Sequence, residues 1–201
     1  MSVDVTVLGV GNPVMGDDAT GLALLRLVRD DVAGVPAGAV DAGALVGLSS
    51  AAGPGMPSVA GRADPDAPGV VGRGRVGGLD VEFVEGGTSG LELVDVVGGA
   101  RRLLVLDAVT GMGEPGDVVE LTGDQVPRML KARLSPHQVG LLDLLATAKL
   151  LGREPAELAV VAVEAKSADM VVGLSDEVAA ALPAAAARAR ARLAAWADAG
   201  A

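Results

Sequence analysis

The 201-residue chain contains no cysteine and no tyrosine, and only one phenylalanine, one tryptophan and one histidine. The missing cysteines exclude disulfides, thiolate metal sites, iron–sulfur clusters and a cysteine nucleophile together. With so few aromatic rings, stacking platforms for bases or sugars are nearly absent, and the core must be assembled from Val, Leu and Ala. Basic residues are the minority: 16 Lys+Arg against 26 Asp+Glu leave a formal charge of −10, which disfavours nucleic acid as a partner. No apolar run reaches the roughly 18 residues of a membrane span. Asp4 stands where a signal peptide needs basic residues. The expectation is a cytoplasmic protein with no nucleic-acid and no membrane partner, folded as a single domain over residues 1–201.

What is present alternates between strand and helix patterns. Val5 to Val10 is a β-branched apolar run ended by Gly11 and Asn12, the pattern of a strand buried on both faces. Asp17 or Asp18 can cap a helix whose Leu22, Leu25 and Val28, with Leu24 alongside, face the core. A second strand over Leu79–Val84 leads into Gly86-Gly87-Thr88, and Thr88 is placed to cap a helix running to about Val97. Further strands are read at Arg102–Val109, Asp117–Leu121 and Leu158–Val163. The helix after Ser135-Pro136-His137-Gln138 buries Leu141, Leu144 or Leu145, Ala148 and Leu151 and stops at Gly152. The last helix, Ser175 to Trp196, should be kinked or divided by Pro183. This alternation predicts an α/β/α sandwich of three layers.

Residues 36–78 break the pattern. Their 43 residues hold 11 Gly and 5 Pro, a composition that offers too little burial to offset the entropy of ordering. The expectation is a flexible Gly/Pro/Ala-rich insertion between the first helix and the second strand.

Three places offer chemistry. The first is Gly9-Val10-Gly11-Asn12-Pro13-Val14-Met15-Gly16-Asp17-Asp18. Its strand–glycine–helix layout invites the dinucleotide-binding reading, with Glu85 as a ribose-binding acid. However, position 14 is Val rather than the third glycine, and two carboxylates at a helix N-terminus repel a pyrophosphate and attract a cation. The second is Asp107, an acid at the carboxyl end of an otherwise apolar strand, where open α/β sheets place their ligand crevice. The third is His137, in a Ser-Pro-His-Gln capping pattern whose helix dipole favours the neutral, metal-binding imidazole. If Asp18, Asp107 and His137 converge, three N/O ligands with open positions suit Zn²⁺ or Ni²⁺.

The ordered set Gly9-x-Gly11-Asn12-x4-Asp17-Asp18, Glu85-Gly86-Gly87-Thr88-x-Gly90, Leu106-Asp107-Ala108 with Pro115-Gly116, and Ser135-Pro136-His137-Gln138-x-Gly140-Leu141 resembles the motifs of the hydrogenase maturation proteases. The resemblance runs from Val5 to about Leu193, the insertion excepted. It implies a mixed sheet of five strands in the order 2-1-3-5-4, strand 4 antiparallel, between helices. It implies metal-binding and catalytic roles at Asp18, Asp107 and His137, and cleavage-site recognition by Gly86 and Gly87 with Thr88 beside them. It further implies a metal-dependent endopeptidase that removes the C-terminal extension of a nickel–iron hydrogenase large-subunit precursor once nickel is inserted. That nickel arrives with the substrate, and zinc or cadmium can stand in for it. The chain departs from the family pattern with Glu85 where Asp is usual, and with Glu164-Ala165-Lys166 in a segment that commonly holds proline. Two other functions compete: an aminopeptidase-like zinc hydrolase using the same three residues, and a non-catalytic nucleotide- or metal-binding module.

Overall fold

β1 (Val5–Val10) is the central strand of one sheet, and its alternate residues feed two separate cores. Val5 and Val7 join one apolar cluster, whereas Leu8 joins the other, as the period of two in a strand requires. The computed structural model describes residues 3–34, 69–126 and 136–199, with 136–140 described by their backbone. The further strands are β2 (Gly69–Val76), β3 (Leu79–Gly87), β4 (Arg102–Val109), β5 (Val118–Thr122) and β6 (Glu157–Glu164), in the spatial order β2-β3-β1-β4-β6-β5. β3, β1, β4 and β6 run parallel, and β2 and β5 pair antiparallel at the two edges. The helices are α1 (Thr20–Val32), α2 (Val94–Gly99), α3 (Pro136–Leu150) and α4 (Asp176–Ala199).

One face of the sheet carries α1 and α4, sealed by Leu24, Leu25, Val28, Leu182, Leu193 and Trp196. The other carries α2 and α3, sealed by Val97, Leu141, Leu144 and Ala148. The three-layer expectation therefore holds. Leu151 does not join the core as expected: it follows the end of α3 and is exposed. α4 continues through Pro183 as one helix rather than dividing there. Buried residues on both sides of the proline, Val178 and Leu182 before it and Ala185 and Ala186 after it, hold the two halves against the same sheet.

The sheet has six strands rather than five. Five of them keep the relative order 2-1-3-5-4 with the fourth antiparallel, but β2 is added at the edge, inside the stretch read as a flexible insertion. β2 and β3 form a hairpin with Val76 opposite Leu79, so the loop is the dipeptide Gly77-Gly78, a strong short-range hairpin signal. The glycines that make β2 look like a loop are a packing requirement. A Cβ on Gly72 would lie 2.8 Å from Cδ of Arg29, and one on Gly74 2.6 Å from Cγ1 of Val32, because α1 lies across this strand. The rest of the insertion, residues 36–68, lies outside the described residues.

α1 approaches the carboxyl ends of β1 and β4 as closely as backbone permits. A Cβ on Gly21 would sit 2.2 Å from the carbonyl oxygen of Val10 and 2.3 Å from that of Leu106. This contact fixes where the turn ahead of α1 emerges, above the point at which the chain leaves β1 for β3 on one side and later returns as β4 on the other. In open α/β sheets the ligand crevice forms there.

Candidate functional site: two acids at the carboxyl ends of β1 and β4

Residues Gly16–Ala19 form a 3-10 turn joined directly to α1. Neither aspartate in it caps a helix: no side-chain cap bond is made at Met15 or Ala19. The carboxylates find other partners, and different ones. Asp17 is 1% exposed. It accepts four hydrogen bonds from the segment that links β6 to α4: Lys166 N at 2.9 Å, Ser167 N at 3.2 Å, Ser175 N at 2.6 Å and Ser175 Oγ at 3.0 Å. Two backbone bonds add to this seam, Gly16 N to Val171 O at 2.7 Å and Asp17 N to Ser167 O at 3.2 Å. Asp17 is thus the bolt that fixes the 166–175 segment to the β1 loop.

Asp18 turns the other way. Its Oδ2 accepts Asn12 N at 2.8 Å, and Asn12 Oδ1 in turn accepts Val14 N at 3.1 Å, so the loop after β1 is wound around this carboxylate. A Cβ on Gly11 would meet the backbone oxygen of Asp18 at 1.9 Å, and Gly11 has φ +135°, which together restrict the position to glycine. The glycines at positions 9, 11 and 21 therefore serve close backbone approach.

Asp107 lies near the carboxyl end of β4 and is 2% exposed. Its Oδ1 accepts Ala108 N at 2.8 Å. Burial pushes its carboxyl well above the usual carboxylate range, the Ala108 bond opposes that rise, and the negative charge of Asp18 adds to it. Both acids are buried, Asp18 on the turn ahead of α1 and Asp107 on β4. A cation between them would relieve both the repulsion and the cost of burying Asp107, and carboxylate oxygens suit a divalent ion.

Asp107 lines a cavity of about 110 Å³ together with Gly11, Gly87 and Thr88. The loop after β3 is tied to the loop after β1 by Gly11 N to Gly87 O at 2.9 Å. Of the three residues expected to recognise substrate, Gly87 and Thr88 border this cavity and Gly86 does not. Gly86 is packed beneath it, where a Cβ would meet Leu8 Cδ1 at 2.9 Å. Thr88 is not a helix cap either: a 3-10 turn, Leu91–Leu93, precedes α2, and Thr88 is left exposed at the cavity mouth. Glu85 points to α1, where it pairs with Arg26 at 3.3 Å.

His137 lies in the first turn of α3, and its side chain is outside the described part of the structure, as are Ser135 and the capping pattern read there. Among the described residues no three His, Cys, Asp or Glu side chains form a metal-binding group, and no helix is long and apolar enough to cross a membrane.

Sequence reasoning missed two residues. The bolt role of Asp17 depends on partners about 150 positions away and leaves no local trace. Glu164 did leave one: like Asp107, it is an acid ending an apolar strand. It is 4% exposed and accepts Gly111 N and, at 2.8 Å, Met112 N, thereby holding the β4–β5 loop beside the site.

Comparison with known proteins bears on the family and the fold. The model of the family described as "HycI: Hydrogenase maturation protease" matches residues 73–191, a span that contains Asp107 and His137. The hydrogenase 2 maturation protease of Escherichia coli (strain K12) is 32% identical over 99 residues, which make up 49% of this chain and 60% of that relative. The chain thus aligns with less than two thirds of that relative's length. Among solved structures, the hydrogenase maturating endopeptidase HybD from E. coli superimposes with a TM-score of 0.68 at 24% identity, covering 95% of this chain and 92% of that one. The [NiFe] hydrogenase maturation protease HybD from Thermococcus kodakarensis gives 0.61 at 24% identity, covering 95% and 99%. At these identities the superpositions speak for the fold. Because the matched residues 73–191 make up more than half of the chain, it belongs to the hydrogenase maturation protease family.

Proposed function

We propose that the protein is an endopeptidase that removes the C-terminal extension of a nickel–iron hydrogenase large-subunit precursor after nickel has been inserted. The observation that carries this reading is the meeting of two buried carboxylates, Asp18 and Asp107, at the crevice over the ends of β1 and β4. Nickel is part of the substrate. Asp18, Asp107 and His137 would complete the coordination of an ion held partly by the precursor, so that cleavage is conditional on metal insertion, and zinc or cadmium would occupy the same ligands. When bound, the ion supplies positive charge at the acids, where it can stabilise developing negative charge.

The chain's own residues do the positioning. Asn12 N holds Asp18 Oδ2 in place, and Ala108 N orients Asp107 Oδ1. The Asp17 bolt fixes the turn that carries Asp18, and the Gly87–Thr88 loop borders the space into which a polypeptide must enter.

The test is incubation with nickel-loaded and nickel-free precursor, followed by intact mass measurement. Loss of a C-terminal fragment only from the loaded form is expected. Equal trimming of both forms would refute metal-conditional cleavage, and trimming of neither would refute the endopeptidase itself.

A further inference from the structure

Glu164 ends β6 with a buried carboxylate that plays no part in the proposed ligand set. β4 and β6 run parallel, with Asp107 opposite Ala162 and Val109 opposite Glu164. Residues paired in this way point to one face of the sheet, and alternate residues of a strand share it. Glu164 therefore stands on the same face as Asp107, one strand over and two residues further along. The loop from β4 to β5 crosses the end of β6 at this point. Thr110, Gly111, Gly113, Glu114 and Pro115 are exposed, and Met112 is the residue of the loop that packs against the core. Apolar burial thus does little to fix it.

Polar bonds do. The two ends of the loop are tied by backbone bonds: Ala165 N to Val109 O at 2.8 Å, Gly116 N to Glu164 O at 2.9 Å and Glu164 N to Asp117 O at 2.8 Å. The apex is tied by the Glu164 side chain, which accepts Gly111 N at one oxygen and Met112 N, at 2.8 Å, at the other. Hydrogen bonds to an ionised acceptor are roughly twice as strong as neutral ones. A polypeptide laid over the carboxyl ends of the strands at Asp107 meets the Gly87–Thr88 loop on the β1 and β3 side and the 110–113 loop on the β6 side.

We propose that Glu164 is a positioning residue of the endopeptidase. By holding Gly111 and Met112 it keeps the apex of the β4–β5 loop as a preformed wall on the β6 side of Asp107, against which the polypeptide substrate is aligned. The inference rests on the endopeptidase reading above. A wall set before the substrate arrives needs no ordering on binding. A loop released at its apex lowers the fraction of molecules ready to bind, and apparent affinity falls by that fraction. The bound complex still reacts, because the acids at the crevice keep their own partners, Asn12 N and Ala108 N.

The experiment compares the full-length wild type, Glu164→Ala and Glu164→Gln on nickel-loaded precursor, with kcat and KM read from intact mass and a thermal melt verifying each fold. If the apex is held for only about a tenth of the time in Glu164→Ala, KM should rise about tenfold while kcat stays within about twofold. Glu164→Gln keeps an oxygen for one of the two N–H groups and should give an intermediate KM. Amide exchange of the free protein, followed by NMR, should show Gly111 and Met112 losing protection in Glu164→Ala while β4 and β6 keep theirs. A KM unchanged in folded Glu164→Ala overturns the proposal, as does unchanged protection of Gly111 and Met112. A merely structural acid would lower the melting temperature and reduce kcat with the folded fraction at constant KM. Loss of the fold in both variants would likewise make Glu164 a core residue and overturn the proposal. If the wild type trims no precursor, the endopeptidase reading falls and the positioning role with it. Wild-type trimming that is indifferent to Glu164 removes the positioning role alone.

Discussion

Asp17 and Asp107 are both nearly fully buried, yet the same substitution to Asn should change stability in opposite directions. Asp17 Oδ2 accepts Lys166 N, Ser167 N and Ser175 Oγ, while Oδ1 accepts Ser175 N. In Asp17→Asn the amide oxygen can take the Oδ2 place and still serve Lys166 N, Ser167 N and Ser175 Oγ, but the NH2 then faces Ser175 N. One backbone donor loses its acceptor, and an orphaned buried donor costs about 1–3 kcal/mol. This bond is partly buried, so the cost belongs toward the low end, about 1–2 kcal/mol. At about 2–4 °C per kcal/mol for a chain of this size, the melting temperature should fall by about 2–8 °C. Asp107 accepts one bond, from Ala108 N, and the amide oxygen introduced by Asp107→Asn would still accept it. What disappears is a carboxylate that burial and Asp18 both disfavour. Removing that cost means that Asp107→Asn should melt above the wild type near neutral pH. The sign with pH follows from linkage. Below the unfolded-state pKa of about 3.9 both states keep the proton. As pH rises toward the raised folded-state value, the unfolded chain releases its proton first and wild-type stability falls. The advantage of Asp107→Asn should therefore widen as pH rises above about 4 toward the raised folded-state value. Differential scanning calorimetry of both variants across that range decides the matter. A stabilised Asp17→Asn, or an Asp107→Asn that melts below wild type at neutral pH, would refute the assignment of one acid to structure and the other to a site.

Gly11→Ala should be poorly soluble or lose its cooperative melt, because its Cβ would lie 1.9 Å from the Asp18 backbone oxygen. Gly99→Ala, near the end of α2 with open space around its Cβ, should melt at or above the wild-type temperature. Excising residues 36–66 and closing the gap with a short Gly/Ser linker should preserve a cooperative melt, since loop closure grows only slowly with length. Excision through residue 78 also removes β2, uncovers β3 and should cost solubility, which sedimentation of the two deletions would show. His137→Ala should abolish trimming of nickel-loaded precursor, because the chain has no second histidine to replace it. Wild-type trimming rates from a folded His137→Ala protein would remove it from the proposed ligand set.

Much of the architecture was legible because it rests on local pattern. Val5–Val10 and Leu103–Leu106 are apolar runs of the kind a doubly covered strand buries, and the strands read there, Val5–Val10 and Arg102–Val109, have those bounds. Leu22, Leu25 and Val28 mark the core face of α1 at helical spacing, and all three are buried. An acid ending such a run, Asp107, marks the crevice. Composition misled where glycine serves packing. Gly72 and Gly74 read as loop, but they belong to a strand that α1 covers at a distance no side chain would allow. Thr88, a fitting cap by its chemistry, is left at the cavity mouth because the chain enters α2 through another turn.

The adjacent pair Asp17-Asp18 shows what sequence pattern could not decide. Two identical side chains on one turn have the same local propensities, and nothing near them in the chain separates their roles. Only when the turn is pressed over β1 and β4 does one carboxylate meet the 166–175 segment and the other meet Asn12 and the field of Asp107. Strands and helices follow from short-range burial and hydrogen bonding, which neighbouring residues encode. The partner of a buried charge is set by which distant donors the packed fold brings within hydrogen-bond reach of it, and most of those donors, being backbone N–H groups, carry no mark in the amino-acid sequence.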